Sequence, residues 1–213
     1  MARTAGLWAL AIAMLLVAAV AARQDPDAWE LRQNALQPPE QVMDAIGISP
    51  GMTVAEVGAG HGRYAVRMAE RVGEAGKVYA EDIDAEALAY IRERCERDGI
   101  DNIETILGEV DDPLLPEGRC DVVYLINTYH HLDRPVELLH NILPALTDDG
   151  ILVIIDHDPD KHPEAGSHST PQNRLFDEAY RAGFALVHIE TFLPWDNINI
   201  FRPRGRLAGG EDE

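Results

Sequence analysis

Cysteine is almost missing from this chain: 213 residues contain only Cys95 and Cys120. Neither a disulfide framework nor a cysteine-rich zinc site can be built from two thiols, and even an oxidising compartment offers them at most one bridge. Both are expected free, because two bridging vectors would have to meet by chance. Positive charge is scarce as well. Eighteen Lys and Arg stand against 37 Asp and Glu, a formal net charge of -19, and the field of such a chain repels nucleic-acid phosphate and anionic lipid. RNA and DNA are therefore poor substrates for it.

Long apolar runs are missing too, except at the start. Arg3 precedes an uncharged stretch from Leu7 to Ala22, closed by Arg23 and Asp25. A positive n-region, an apolar run and the small-residue pattern Ala19-Val20-Ala21 describe a cleavable export signal over residues 1–22, since the run is short for a spanning helix of about 20 residues. An uncleaved anchor is the alternative, and a misassigned start codon a third. The first two leave the domain outside the cytoplasm, periplasmic, extracellular or held at the membrane.

What remains carries 46% hydrophobic residues over the whole chain, enough for one sizeable core and too little for two. Residues 23–38 are polar and expected irregular. Pro38-Pro39-Glu40 opens a short helix with Val42, Met43 and Ile46 on one face. From Thr53 onward the pattern alternates strand and helix with short connections. Strands are expected near 53–57, 77–82, 102–107, 120–126, 150–156, 184–190 and 196–202, and helices near 62–72, 85–97, 135–146 and 171–182. Asp84 is a helix cap, and Thr170-Pro171 a cap followed by a first-turn proline. Such alternation argues for an α/β domain over residues 39–203, a mostly parallel sheet covered on both faces. The last two strands, joined without a helix, form an antiparallel hairpin at the sheet's edge. The acidic tail 204–213 is expected disordered.

In an open α/β sheet, ligands sit beyond the carboxyl ends of the strands where strand order reverses. Candidate residues must therefore follow strands. After the first comes Glu56-Val57-Gly58-Ala59-Gly60-His61-Gly62, whose alternate glycines allow positive φ and close passage of backbone beneath a ligand. Its spacing departs from the dinucleotide fingerprint, because Arg63 stands where that motif needs its third glycine. The second strand ends in Glu81-Asp82-Ile83-Asp84, about 20 residues on, the distance at which a carboxylate meets a ribose hydroxyl pair. Asp82 takes that role, Glu81 being read as its solvated neighbour.

Glu56 to Gly62, reached from Pro50-Gly51-Met52-Thr53, resembles the first motif of class I S-adenosylmethionine-dependent methyltransferases, and the likeness extends over most of the mature chain. The resemblance implies a three-layer Rossmann-like fold with seven strands in the order 3-2-1-4-5-7-6, strand 7 antiparallel. It implies S-adenosylmethionine as cofactor, bound by Glu56, Gly58, Gly60, Gly62, Asp82, Ile83, Glu109 and Asn127. In that pattern Glu56 serves the cationic methionine end, Asp82 the ribose, Ile83 the adenine face and Glu109, in place of the commoner Asp, the adenine amino group. Asn127-Thr128-Tyr129-His130-His131-Leu132 after the fourth strand is similar to the reaction zone of small-molecule methyltransferases. There His130 is the candidate base and Tyr129 orients the acceptor; either histidine can instead pack or cap the next helix.

Asp156 to His168 reads as a mobile, substrate-covering loop. No metal is expected, since imidazoles five and six residues apart in a loop fix no geometry. The function expected is in-line methyl transfer to a small molecule. An exported, non-catalytic binding protein of the same fold is the alternative, and an NAD-dependent oxidoreductase a weaker one. Oligomeric state is not legible.

Overall fold

The computed structural model describes residues 26–206, and the chain divides into two units at Pro38 and Pro39. The described part of the first unit is one helix, α1 (Pro26–Leu36). The expectation of an irregular segment over 23–38 is corrected by it. Proline at a first helical turn forfeits only an N–H that would lack a partner there, and Ala28, Leu31, Arg32, Gln33 and Ala35 are good helix formers. No apolar stripe runs along this helix, so its periodicity gives no signal.

The apolar leader 1–22 and the end of the tail, 207–213, lie outside the described residues. Arg204–Arg206, placed with the disordered tail by the sequence, form a short 3-10 turn. Among the described residues no helix is long and apolar enough to cross a membrane.

The second unit runs α2 (Pro39–Ala45), β1 (Thr53–Val57), α3 (Arg63–Val72), β2 (Lys77–Asp82), α4 (Ala85–Asp98), β3 (Ile103–Leu107) and β4 (Cys120–Ile126). It continues with α5 (Pro135–Ile142), β5 (Leu146–His157), α6 (Gln172–Arg181), β6 (Phe184–Glu190) and β7 (Asp196–Pro203). Seven strands form one sheet in the order β3-β2-β1-β4-β5-β7-β6. β1 lies parallel between β2 and β4, and the pairs β2–β3 and β4–β5 are parallel as well. Only β7 is reversed, running antiparallel to both β5 and β6. The strand order and its one reversal are those the resemblance implies. Order switches direction between β1 and β4, which opens a crevice above their carboxyl ends.

Strand alternation decides which helix each residue meets. Val54, Val122, Tyr124, Ile126, Val153 and Ile155 pack on one face with α2, α3 and α4 side chains such as Met43, Met68 and Ile91. Ala55, Val123, Leu125, Leu152 and Ile154 pack on the other against Leu139 and Ile142 of α5 and Leu175 of α6. Burying each such side chain stabilises the fold by roughly 1.5–3 kcal/mol relative to exposure. Cys95 leans on the first cluster and Cys120 lies within the second, and both thiols are free.

Three local expectations shift. α5 ends at Ile142 instead of running to 146, and Leu143–Ala145 tightens into a 3-10 turn around Pro144, which cannot continue an α-helix. β5 correspondingly starts at Leu146 rather than near 150. Asp84 caps α4 as expected, its carboxylate accepting from the Glu86 N–H. Thr170 does not cap α6. Pro171 holds the cap position, and the Thr170 hydroxyl is spent on Asp156.

Candidate active site

The turn from β1 to α3 is shaped by contacts that leave no room at one glycine and open space at another. Gly58 has φ +76°, and a Cβ there would stand 2.3 Å from Cγ2 of Thr128. Gly60 has φ +52°, with nothing within 4 Å of an added Cβ. Packing sets the first, and the second faces open space. The second strand holds the turn from below. Gly58 and Ala59 donate their N–H groups to the Glu81 carbonyl at 3.0 and 2.8 Å, and Gly60 donates to Oδ2 of Asp82 at 2.7 Å. Oδ1 of Asp82 accepts from Asp84 N–H at 2.9 Å. Two backbone donors thus fix the carboxylate at the crevice edge, and each oxygen keeps a lone pair for a further donor.

Around this carboxylate the surface is unusually apolar for exposed positions. Ile83 is 59% exposed, and Leu107 and Val110 are about half exposed. All three follow or end β2 and β3. Exposed Glu109 is held between them, its N–H donating to the Asp112 carbonyl at 2.7 Å. Exposed apolar side chains near a carboxylate suit a heteroaromatic ring with an attached sugar. Gly62 starts α3 in the left-handed region, packed on Ile91.

Two acidic residues lie deeper than the sequence suggests. Glu56 is only 4% exposed beneath the turn, where the Tyr124 hydroxyl donates to its Oε2 at 3.4 Å. Burial pushes its pKa up to about 8, against the attraction of Arg63 and a hydrogen bond from Ala65 N–H. Glu81 is not a solvated neighbour but is 2% exposed. It sits so close under Gly108 that a Cβ there would be 1.9 Å from its Oε1. Burial raises Glu81 to about 8 as well. Strand alternation explains it: Asp82 lies at the crevice, so its neighbour Glu81 turns inward.

On the other side of the crevice, Asn127 follows β4 with φ +54°, and its N–H donates to the Ile155 carbonyl. Thr128 bridges the two halves, its one hydroxyl proton shared between the Ile126 carbonyl at 3.1 Å and the Gly58 carbonyl at 3.3 Å. The 3-10 turn Tyr129–His131 comes next. Tyr129 is not an acceptor-orienting residue: it is buried in the α5–α6 cluster, and its hydroxyl donates to Oε2 of Glu178 at 2.7 Å. Burial and that carboxylate hold its pKa far above the usual phenol value, so its role is to fasten the turn to α6.

His130 lies the other way. Its Nδ1 is 2.6 Å from Oδ1 of buried Asp156 at the end of β5, and Oδ2 of that carboxylate accepts from the Thr170 hydroxyl at 3.0 Å. Since a carboxylate accepts, the imidazole donates from Nδ1 and presents Nε2 to its surroundings. The His130 and His131 rings stand 4.1 Å apart, and His168 lies edge-on to both at 5.4 and 5.6 Å. Burial and the two neighbouring imidazoles lower the pKa of His131. The loop spacing that argued against a metal is only part of this geometry, because the partners of His168 come from the turn after β4.

The stretch 156–168, expected as a mobile cover, is anchored in its first half, at Asp158, Lys161 and His162. Asp158 N–H donates to the Trp195 carbonyl, and the His162 ring stacks on Trp195 at 4.3 Å. Nζ of Lys161 donates to the carbonyls of Thr191, Leu193 and Asp196 at 2.7–3.0 Å. Asp196, Asn197 and Asn199 are buried polar residues that sequence reasoning missed. Asp196 pairs with Nδ1 of His157 at 2.6 Å and thereby raises its pKa, while Asn197 donates to Asp158 at 2.6 Å. Their signal was there to read: three polar side chains on a strand with neighbours on both sides.

A sheet ordered this way, with a glycine turn after β1 and a carboxylate after β2, defines the class I methyltransferase fold. The family model described as a methyltransferase domain matches residues 48–188, more than half of the chain, and the chain belongs to that family. Among solved structures, a SAM-dependent methyltransferase from Aquifex aeolicus superposes with a TM-score of 0.70 at 27% identity, covering 76% of this chain and 88% of that one. Among curated proteins, the protein-L-isoaspartate O-methyltransferase of Methanococcoides burtonii is 40% identical over 111 residues, 52% of each chain. The ubiquinone/menaquinone biosynthesis C-methyltransferase of Azotobacter vinelandii is 23% identical over 158 residues, 73% of this chain and 58% of its own. The chain thus spans little more than half the length of these two curated relatives.

Proposed function

We propose that this protein transfers a methyl group from S-adenosylmethionine to a small-molecule acceptor. The observation that carries the reading is the glycine turn after β1 hydrogen-bonded through Gly60 N–H to Asp82, whose other carboxylate oxygen a second backbone donor holds. The residues fit the cofactor. Asp82 would accept from the ribose hydroxyls, Ile83 and Val110 would offer apolar contact to the adenine, and Glu109 would accept from its amino group. Glu56, kept largely protonated by burial, becomes an anion once a cationic ammonium group approaches. Asn127, held at positive φ after β4, closes the crevice from the acceptor side.

When bound, S-adenosylmethionine supplies a methyl group already activated on a sulfonium. The chain's own contribution is therefore mainly position, worth up to about 7–11 kcal/mol in favourable cases. At the acceptor side, Nε2 of His130 takes the proton of a hydroxyl, thiol or amine, while Asp156 holds the ring's orientation and tautomer through its Nδ1. A small acceptor suits the charge of the chain, and export or anchoring through residues 1–22 belongs to the same proposal. The mature N-terminus of the native protein checks that last part.

The test is native mass spectrometry of the purified protein, followed by a labelled-methyl screen of small-molecule extracts. Retention of an S-adenosyl ligand and label in a small molecule are the expected results. No retention and no labelled product contradict the proposal.

A further inference from the structure

We propose that His130, His131 and His168 form a binding site for one divalent transition-metal ion, zinc being the best fit. Among the described residues these three imidazoles bring one ligand nitrogen each to within 4.8 Å of one another. They come from two elements, the 3-10 turn after β4 and the end of the Pro163–His168 segment after β5. Zinc takes imidazole nitrogens at about 2.0–2.1 Å, which at tetrahedral angles puts them about 3.3 Å apart. His131 and His168 are exposed, and neither makes a side-chain hydrogen bond among the described residues. Both rings are therefore free to close the remaining distance.

The third ligand is already fixed. Nδ1 of His130 donates to Asp156, whose other oxygen is held by Thr170. A ligating histidine that donates its far N–H to a held carboxylate is the outer-shell arrangement that sets tautomer and raises ligand basicity. A helix-packing histidine needs no such carboxylate. Among the described residues the group holds three imidazoles and no fourth ligand, which leaves one coordination position open, the hallmark of a reactive rather than a structural zinc site. Thr128, two residues before His130, is bonded to Gly58 of the glycine turn.

The site itself stands on the histidine geometry; its part in catalysis rests on the methyl-transfer reading above. With an ion bound, Nε2 of His130 no longer serves as a base. The ion replaces it, because an acceptor hydroxyl or thiol at the open position releases its proton to solvent more readily than in bulk water.

The experiment uses the full chain stripped with chelator, titrated calorimetrically with zinc chloride and, in parallel, with cobalt(II) while visible absorption is followed. One equivalent is expected to bind, with cobalt giving the intense bands of a four-coordinate site. His131→Ala and His168→Ala, both at exposed positions, should each weaken zinc binding more than about 10-fold. Asp156→Asn should cost about 10- to 100-fold. His188→Ala, on the far edge strand, should change nothing. Zinc affinity equal in the wild type and in both exposed-site variants overturns the site. S-adenosylhomocysteine titrated into the same samples separates the two readings. Lost zinc binding with retained nucleoside binding supports the site, and zinc binding in a protein that takes no adenosyl ligand supports the site while overturning the methyl-transfer reading.

Discussion

On the β1–β2 side of the crevice the work is done by backbone: glycine N–H groups, a carbonyl of β2 and one carboxylate, all within two short stretches of sequence. On the β4–β5 side it is done by side chains drawn from separate elements, with His130, Asp156, Thr170 and His168 meeting from distant parts of the sequence. The first kind of site is general, because any adenosyl ligand meets the same cradle. On the proposed reading, the second is where one acceptor would be told from another. A hydrogen bond between Thr128 and the Gly58 carbonyl joins them.

The largest effect that would break this contrast comes from the side-chain half. His130→Ala should lower turnover on an identified acceptor by about 10²- to 10⁴-fold, with adenosyl binding nearly unchanged. Turnover kept at the wild-type level would remove His130 from the reaction.

Gly58→Ala and Gly60→Ala sharpen the backbone half. The first drives a methyl into Thr128 and should lower the melting temperature by several degrees, since strain at such a position costs of order 1–3 kcal/mol. The second meets no neighbour, so its fold should suffer less while adenosyl affinity falls, because its methyl occupies the cradle. Equal thermal losses with unchanged affinity in Gly60→Ala would deny that the space above Gly60 holds a ligand.

Charge beneath the cradle gives a smaller, pH-dependent effect. Glu56 and Glu81 are both raised to about 8, so between about pH 4.5 and 8 the folded state holds protons that the unfolded chain has released. Stability from these two groups is therefore fully present below the unfolded carboxyl pKa and declines as pH rises toward 8. Urea unfolding at pH 5 and pH 8.5 should show the decline, and Glu56→Gln with Glu81→Gln should flatten it. The smallest effect is at Tyr129. Tyr129→Phe should cost about 0.5–1.5 kcal/mol of stability through the lost bond to Glu178, and leave turnover alone.

The same contrast explains what could be read in advance. Glu56 to Gly62 and Asp82 are legible because backbone chemistry requires glycine at positive φ, and because a strand ends where its ligand group must stand. The reversed β7 is legible because no helix fits between Glu190 and Asp196. The directions of Tyr129 and His130 are not, since a 3-10 turn after β4 sends adjacent side chains to opposite sides and no periodicity reports it. Glu81 looks solvated because an acid beside another acid usually is, and only the packing of β1 and β3 around it buries it. His168 finds its partners by tertiary folding, far beyond His131 in the chain, at a distance that sequence spacing does not encode. α1 was missed for a simpler reason, being helical by propensity without an apolar face.

The central claim is that the carboxylate after β2 and the glycine turn together hold an adenosyl group. It is tested most directly by calorimetric titration of S-adenosylhomocysteine into the wild type and Asp82→Ala. Losing even one charge-assisted hydrogen bond, worth about 1.5–3 kcal/mol, should weaken binding at least about 10- to 150-fold. Identical dissociation constants for the two proteins would contradict the account.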